Sequence, residues 1–258
     1  MKKYRILVSA LIILGVFLIS TSNPMVDLST SLNFRNKKEN KDIVICIDPG
    51  HQSKGDPKQE PVAPGSGQTK ARVSSGTSGV ATKKAEYILN LEASMVLKEI
   101  LDQKGYKVVM TRTTHDINIS NAERAMLANK EKADMTVRIH ADSLANSGKT
   151  GASILVPSKS GKYTTTIYDS SYKCAQIVKD KMAQSGIKVN GIFERGDLTG
   201  FNWSTVPVIL VEMGFMSNYN EDRMMSDPNY QMKMMQAIGD GIEEYVKSNL
   251  SNKQTEGR

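Results

Sequence analysis

Ile43-Val44-Ile45-Cys46-Ile47-Asp48-Pro49-Gly50-His51 is the stretch on which the reading of this chain turns. A short apolar run that stops at Asp-Pro-Gly is the signature of a buried strand entering a turn, and it delivers a histidine just beyond the strand end. Downstream, Gln52 to Thr82 is dense in Gly, Pro and Ser and reads as a long irregular loop, a length usually tied to function or disorder. Thr82 is the expected N-cap of a helix from Lys83 to about Lys104, ended by Gly105. A regular alternation follows: a strand at Tyr106–Thr111, a helix at Ser120–Lys132 with Ser120 and Glu123 forming a capping box, and a strand at Asp134–Ile139. Further elements are expected at Ala152–Val156 (strand), Thr165–Ser185 (helix), Ile187–Phe193 (strand), Val206–Val211 (buried strand) and Asn229–Asn249 (helix). Strands alternating with helices of this length predict an α/β fold: one domain, a twisted, mixed but mostly parallel sheet, and helices on both faces.

Upstream the chain changes character. Residues 24–41 are polar and aperiodic, a linker, and residues 6–20 form an uncharged apolar run preceded by Lys2, Lys3 and Arg5. That layout belongs to a secretory signal or a membrane anchor, so the body of the protein is expected outside the cytoplasmic membrane. The run is short of the ~20 residues that span a bilayer, and Ser20-Thr21-Ser22 is a weak cleavage site, so cleaved and anchored forms stay open. Residues 1–23 are thus assigned to the signal or anchor, 42–250 to the folded domain and 251–258 to a flexible tail. The net charge of +7 is concentrated ahead of the domain, in Lys2, Lys3, Arg5, Arg35, Lys37, Lys38 and Lys41. What remains is too little for a phosphate-binding face, and nucleic acid is excluded as a partner. Cys46 and Cys174 sit in apolar contexts and read as small buried hydrophobes, and Met224, Met225, Met232, Met234 and Met235 as core filling.

In open α/β sheets ligands gather beyond the carboxyl ends of the strands. Three residues fall there: His51, His140 and Glu212. The helix after the long loop brings Glu86 to the same end. Two imidazoles and a carboxylate are the ligand count of a catalytic zinc site, which keeps a fourth position open. Such a centre lowers the pKa of water and polarises a carbonyl, and a facing carboxylate moves the proton to the leaving nitrogen. His51, Glu86 and His140 are therefore the candidate ligands of one zinc ion per chain and Glu212 the candidate acid–base, with Asp142 a rival ligand and His115 a solvated loop residue. No HExxH, GxSxG or phosphate loop competes.

These residues lie within a series: Asp48-Pro49-Gly50-His51, Glu86 with Leu89-Asn90-Leu91, Met110-Thr111-Arg112, Glu123-Arg124 with Ala128-Asn129, Arg138-Ile139-His140-Ala141-Asp142, and Val211-Glu212-Met213-Gly214-Phe215-Met216-Ser217-Asn218. The series resembles the zinc-dependent N-acetylmuramoyl-L-alanine amidases over about residues 43–248. The resemblance implies zinc on His51, Glu86 and His140, a catalytic Glu212, and cleavage between muramic acid and L-alanine of peptidoglycan. Two positions depart from it, since many members have Ser and Asn where this chain has Arg138 and Asp142, and the glycine-rich segment after the first His is longer here. One membrane segment joined to one catalytic domain also resembles the amidases that prepare spore cortex for germination through muramic-δ-lactam. The expected partners are a glycan strand with its stem peptide and a regulatory protein. Rival classes are another zinc hydrolase of the wall, a carboxypeptidase or deacetylase, and a noncatalytic wall-binding protein.

Overall fold

The computed structural model describes the backbone of residues 42–256 and side chains through residue 249. The expected signal or anchor and the linker lie outside these residues. Among the described residues no helix is long and apolar enough to cross a membrane. Among the described residues there are eight strands, β1 (Val44–Pro49), β2 (Asp56–Pro61), β3 (Thr69–Val73), β4 (Lys107–Met110), β5 (Met135–Asp142), β6 (Ala152–Pro157), β7 (Val189–Arg195) and β8 (Val208–Phe215). The same residues hold six helices, α1 (Glu86–Gln103), α2 (Asn121–Lys130), α3 (Thr165–Gln184), α4 (Thr199–Asn202), α5 (Tyr219–Met225) and α6 (Pro228–Glu256).

Six strands form the main sheet in the order β4-β1-β5-β8-β6-β7. The first four are mutually parallel, β6 runs antiparallel to β8, and β7 is parallel to β6. The sheet is the expected mixed, mostly parallel one. Strands buried on both faces read as continuous apolar runs, and β1 and β8 do so here. On one face Ile45, Ile47, Val137, Ile139 and Val211 join Leu89, Leu97, Val178, Met235 and Ile238 of α1, α3 and α6 in the main core. On the other, Val44 and Cys46 meet Ala128 of α2, while Val208 and Leu210 meet Phe201 of α4. Cys46 and Cys174 are both buried and free. Met225, Met234 and Met235 fill the core as expected, but Met232 is exposed.

Several expectations need correction. The Gln52–Thr82 stretch is not wholly irregular: β2 and β3 pair antiparallel as a separate hairpin. Its strands are polar because they pair only with each other, and tertiary ion pairs hold them, with Arg72 bridging Asp56 at 3.0 Å and Glu123 at 2.7 Å. No helix starts at Lys83, because that residue is left-handed, φ 60°, and Ala85 is extended, so that α1 begins at Glu86, while the Thr82 hydroxyl accepts from the Lys84 N–H at 3.1 Å and donates to Asp222 at 2.7 Å. The short helices α4 and α5 went unread, and the last helix runs to Glu256 instead of ending at Asn249. The capping box on α2 is present, with Ser120 and Glu123 exchanging hydrogen bonds of 3.1 and 2.7 Å.

The two central strands carry the functional end. Strand β5 is buried from Met135 to Ile139 and opens at His140 and Asp142, and β8 opens at Glu212 alone. Both strands therefore run further than their apolar stretches predict, and both residues sit in the ladder, paired with each other across it.

Candidate active site

His51 is placed by its neighbours' backbone. Arg112 donates to the carbonyls of Pro49 and Gly50 at 2.9 Å each, and Arg124 donates to those of Pro49 and His51 at 2.7 and 2.9 Å. These two guanidiniums are buried, and Asp48 lies among them, accepting from Arg124 at 2.8 Å, Arg138 at 2.7 Å and the Thr111 hydroxyl at 2.5 Å. Burial would raise the Asp48 carboxyl, but Arg124 and Arg138 outweigh it and hold the group far below the usual carboxylate range. Removing one member of such a set leaves an uncompensated buried charge, a cost of about 3–5 kcal/mol. The bracing forces His51 into a left-handed backbone, φ 59°, which aims its ring back over the sheet end. Arg138, where the resemblance led one to expect Ser, thus belongs to the brace.

Three side chains from β1, α1 and β5 then converge. His51 Nε2 and His140 Nδ1 lie 3.1 and 3.3 Å from the same Glu86 oxygen, Oε1. The two rings meet edge to face, centroids 4.9 Å apart. Glu86 is held by the backbone N–H groups of Thr77 at 3.1 Å and Ala141 at 3.2 Å and by Asn90 at 3.1 Å, at the end of α1 where the helix dipole favours an anion. Burial would raise its carboxyl, but the contacts with the two imidazoles, His140 first, outweigh it and hold the group well below the ordinary value. Two glycines make the convergence possible. A Cβ on Gly50 would lie 2.2–2.6 Å from the His140 ring, and one on Gly76, at φ +79°, would lie 2.7 Å from Glu86 and 3.0 Å from His51.

The tautomer of His51 shows what the cluster suits. Its Nδ1 faces the Ser74 carbonyl at 2.9 Å, an oxygen that can only accept, so Nδ1 carries the proton. In the neutral ring Nε2 is then a bare lone pair aimed at a carboxylate oxygen, an arrangement that repels unless a positive charge lies between. Burial lowers His140 to about 4, so that ring is neutral near pH 7. The ligand atoms of His51, Glu86 and His140 all fall within 4.8 Å of one another. Ligands at the ~2.0–2.1 Å typical of zinc are about 3.4 Å apart at the edges of a tetrahedron. The donors, two nitrogens and one oxygen, and the two short separations of 3.1 and 3.3 Å both fit such an ion. Asp142, the rival ligand, lies outside the cluster and accepts from the Ser143 N–H instead. His115 is half-buried against Tyr87, ring centroids 5.3 Å apart, and not a solvated loop residue.

Glu212 lies beside His140 in the neighbouring strand, in register with it. Burial first, then the charges of Glu86 and Asp142, raise its carboxyl well above the ordinary value, and its Oε2 has no hydrogen-bond partner. A basic, unengaged carboxylate next to a cation-binding cluster is suited to proton transfer. Sequence reasoning missed Ser74, Gly76 and Thr77, the stretch after β3 that returns over the site. It also missed Asp222, which accepts from the Ala81 and Thr82 N–H groups at 2.7 Å each and pins that return. The clustered Gly and Ser of residues 74–79 were the available signal.

A sheet-end cluster of two imidazoles and a carboxylate, with a second carboxyl group beside it, defines the class: a hydrolase. The chain belongs to the N-acetylmuramoyl-L-alanine amidase family (Amidase_3), whose family model matches residues 45–244. It is 29% identical over 208 residues to an N-acetylmuramoyl-L-alanine amidase of Mycobacterium tuberculosis, covering 78% of this chain and 85% of that one. It is 25% identical over 211 residues to a Staphylococcus epidermidis protein named "Probable cell wall amidase LytH", covering 81% of this chain and 60% of that one. Among solved structures it resembles the amidase Ami1 of Mycobacterium smegmatis with a TM-score of 0.73 and 27% identity, over 81% of this chain and 98% of that chain. The activity is that of a peptidoglycan amidase.

Proposed function

We propose that this amidase depends on zinc, bound by His51, Glu86 and His140, and that Glu212 moves the proton in hydrolysis of the bond between the muramic lactyl group and L-alanine. The observation that carries the reading is the convergence of two imidazole nitrogens on one carboxylate oxygen, with His51 Nδ1 turned to the Ser74 carbonyl. A bound zinc ion supplies Lewis acidity for the carbonyl and lowers the pKa of water towards ~7. Glu212 takes a proton from the attacking water as the carbon–oxygen bond forms, and returns it to the L-alanine nitrogen as the carbon–nitrogen bond breaks. Burial that raises the Glu212 carboxyl makes it a stronger base for the first transfer and a usable acid for the second.

The finer assignments belong with this proposal. Residues 1–23 export the protein, as cleaved signal or anchor, residues 24–41 tether it, and residues 42–250 act in the wall, in keeping with the name of the staphylococcal relative. A role in spore cortex, forming muramic-δ-lactam, and a regulatory protein partner rest on the pairing of one apolar segment with one catalytic domain. Deleting the gene tests the cortex role: cortex muropeptides that keep their muramic-δ-lactam defeat it. Zinc occupancy and activity of the purified chain that need no added protein defeat the partner.

The central test is mass spectrometry of peptidoglycan digested by the purified protein with chelator, and with chelator followed by zinc. New L-alanine amino termini, lost with chelator and restored by zinc, are the expected result. Release of D-alanine or exposure of a sugar amine overturns the bond assignment, and undiminished cleavage in chelator overturns the metal.

A further inference from the structure

The sheet face that carries Glu212 continues past the site. Ser153 of β6 is the ladder partner of Glu212, and Leu155 is the partner of both Leu210 and Phe193. Ladder partners project to one face, so Phe193 shares the face of Glu212, two strands away on the sheet edge. By strand geometry it stands about 10 Å across and about 7 Å along from Glu212. Its neighbours on this face, Leu155 and Leu210, join the Phe201 cluster, whereas Phe193 is 48% exposed. The ring leans over Gly191, lying 3.3 Å from where a Cβ would be, on a backbone at φ +154°. One side of the ring shields the Gly191 backbone, and the other side stands in water.

Arg195 stands two residues beyond Phe193 on β7 and so shares its face. Arg195 donates to Asp197 through Nε and Nη2 at 2.7 and 2.9 Å, and Lys70 of the hairpin donates to the Asp197 carbonyl at 2.7 Å. Arg195 and Asp197 are 42% and 53% exposed, so the ion pair is within reach of hydroxyl groups arriving from solvent. Arg195 is also near enough for its charge to act on Glu212 and Asp142, which makes the surface continuous with the catalytic end.

We propose that Phe193, flanked by Arg195 and Asp197, is the platform on which a pyranose ring of the glycan strand stacks, away from the scissile bond. A pyranose ring turns weakly positive C–H groups towards the negative face of an aromatic ring, and its hydroxyls suit a guanidinium and carboxylate at the rim. A stem peptide would pair instead with the open backbone edge of β7, in the plane of the sheet and beside the ring, not on the ring's face. The platform makes Phe193 a specificity residue: it separates polymeric glycan from a single muramoyl peptide. This rests on the amidase reading of the site.

The test uses the full chain as wild type, Phe193→Ala and Phe193→Trp, with two substrates that share one stem peptide, a single N-acetylmuramoyl peptide and a multi-disaccharide strand. In wild type the strand is preferred. In Phe193→Ala the ratio of kcat/KM for strand over single sugar falls about 3- to 10-fold through KM, and Phe193→Trp restores it. Calorimetric binding of peptide-free glycan oligomers weakens in the Ala variant by the same factor. An unchanged ratio, or wild type that binds stem peptide but no peptide-free glycan, overturns the platform. Absence of new L-alanine amino termini in every digest, wild type included, would be failure of the amidase reading instead, and the binding arm would still decide the platform.

Discussion

Replacing Gly50 by Ala adds one methyl group, and the structure says where it goes. The new Cβ would lie 2.2 Å from His140 Cε1, 2.3 Å from Nε2 and 2.6 Å from Nδ1, whereas ordinary contact begins at 3.4 Å. The imidazole or the turn must therefore shift by about 1.2 Å. The turn resists, because Arg112 and Arg124 grip the carbonyls of Pro49, Gly50 and His51 and the Gly50 N–H donates to Ile139 at 2.9 Å. The ring moves instead, and His140 Nδ1 leaves its place beside Glu86. Metal ligands tolerate about 0.2 Å, and a misplacement of about 1 Å costs about 100-fold in rate. Gly50→Ala is thus expected to weaken zinc binding at least tenfold and to lower kcat/KM about 100-fold, with little change in melting temperature. Gly67→Ala, whose Cβ meets nothing within 4 Å, is the control. Zinc affinity by competition with a chromogenic chelator and rates of L-alanine amino-terminus release decide it. A Gly50→Ala protein with wild-type zinc affinity and a rate within threefold of wild type would refute the packing argument.

Glu212→Gln removes the proton carrier but none of the three clustered donors; elemental analysis should find zinc retained while kcat falls about 10²- to 10⁴-fold. His140→Ala deletes a donor, and the purified variant is expected to hold far less than one zinc per chain under dialysis that leaves wild type loaded. Asp48→Asn leaves Arg124 and Arg138 without their buried counter-charge and should destabilise the domain by about 3–5 kcal/mol in urea melts. The sign of its pH dependence follows: the folded Asp48 carboxyl lies below its unfolded value, so its contribution is complete above about pH 4 and is lost as pH falls further. Stability curves of wild type and Asp48→Asn should converge in acid; a gap that stays constant from pH 6 to pH 2 contradicts the charge argument.

Much of the fold was legible because buried parallel strands are written as apolar runs. Ile43–Ile47 and Val206–Val211 announce strands whatever lies around them, and the capping box at Ser120 and Glu123 is a local device that works wherever a helix begins. The hairpin was not legible. Lys58, Gln59 and Lys70 carry no apolar alternation, and what makes extended chain of them is Arg72 reaching Asp56 and Glu123. Thr82 misled for a like reason, since it caps a turn with Lys83 left-handed, held in place by Asp222, 140 residues away. Phe193 read as a strand residue and no more, because exposure on an edge depends on what fails to cover it.

The candidate site divides the same way. From the sequence came the four candidate side chains, because His51, His140 and Glu212 each follow an apolar run and Glu86 lies at the start of the helix after the long loop, and chain order alone carries that information. Which imidazole nitrogen turns inward, that Glu86 and not Asp142 stands with them, and that Arg112, Arg124 and Arg138 serve as bracing were decided in three dimensions. Bond direction and burial are properties of packing between segments far apart in the chain. A string of residues records each segment's preference, and only the folded sheet brings one segment's carbonyl to another's guanidinium.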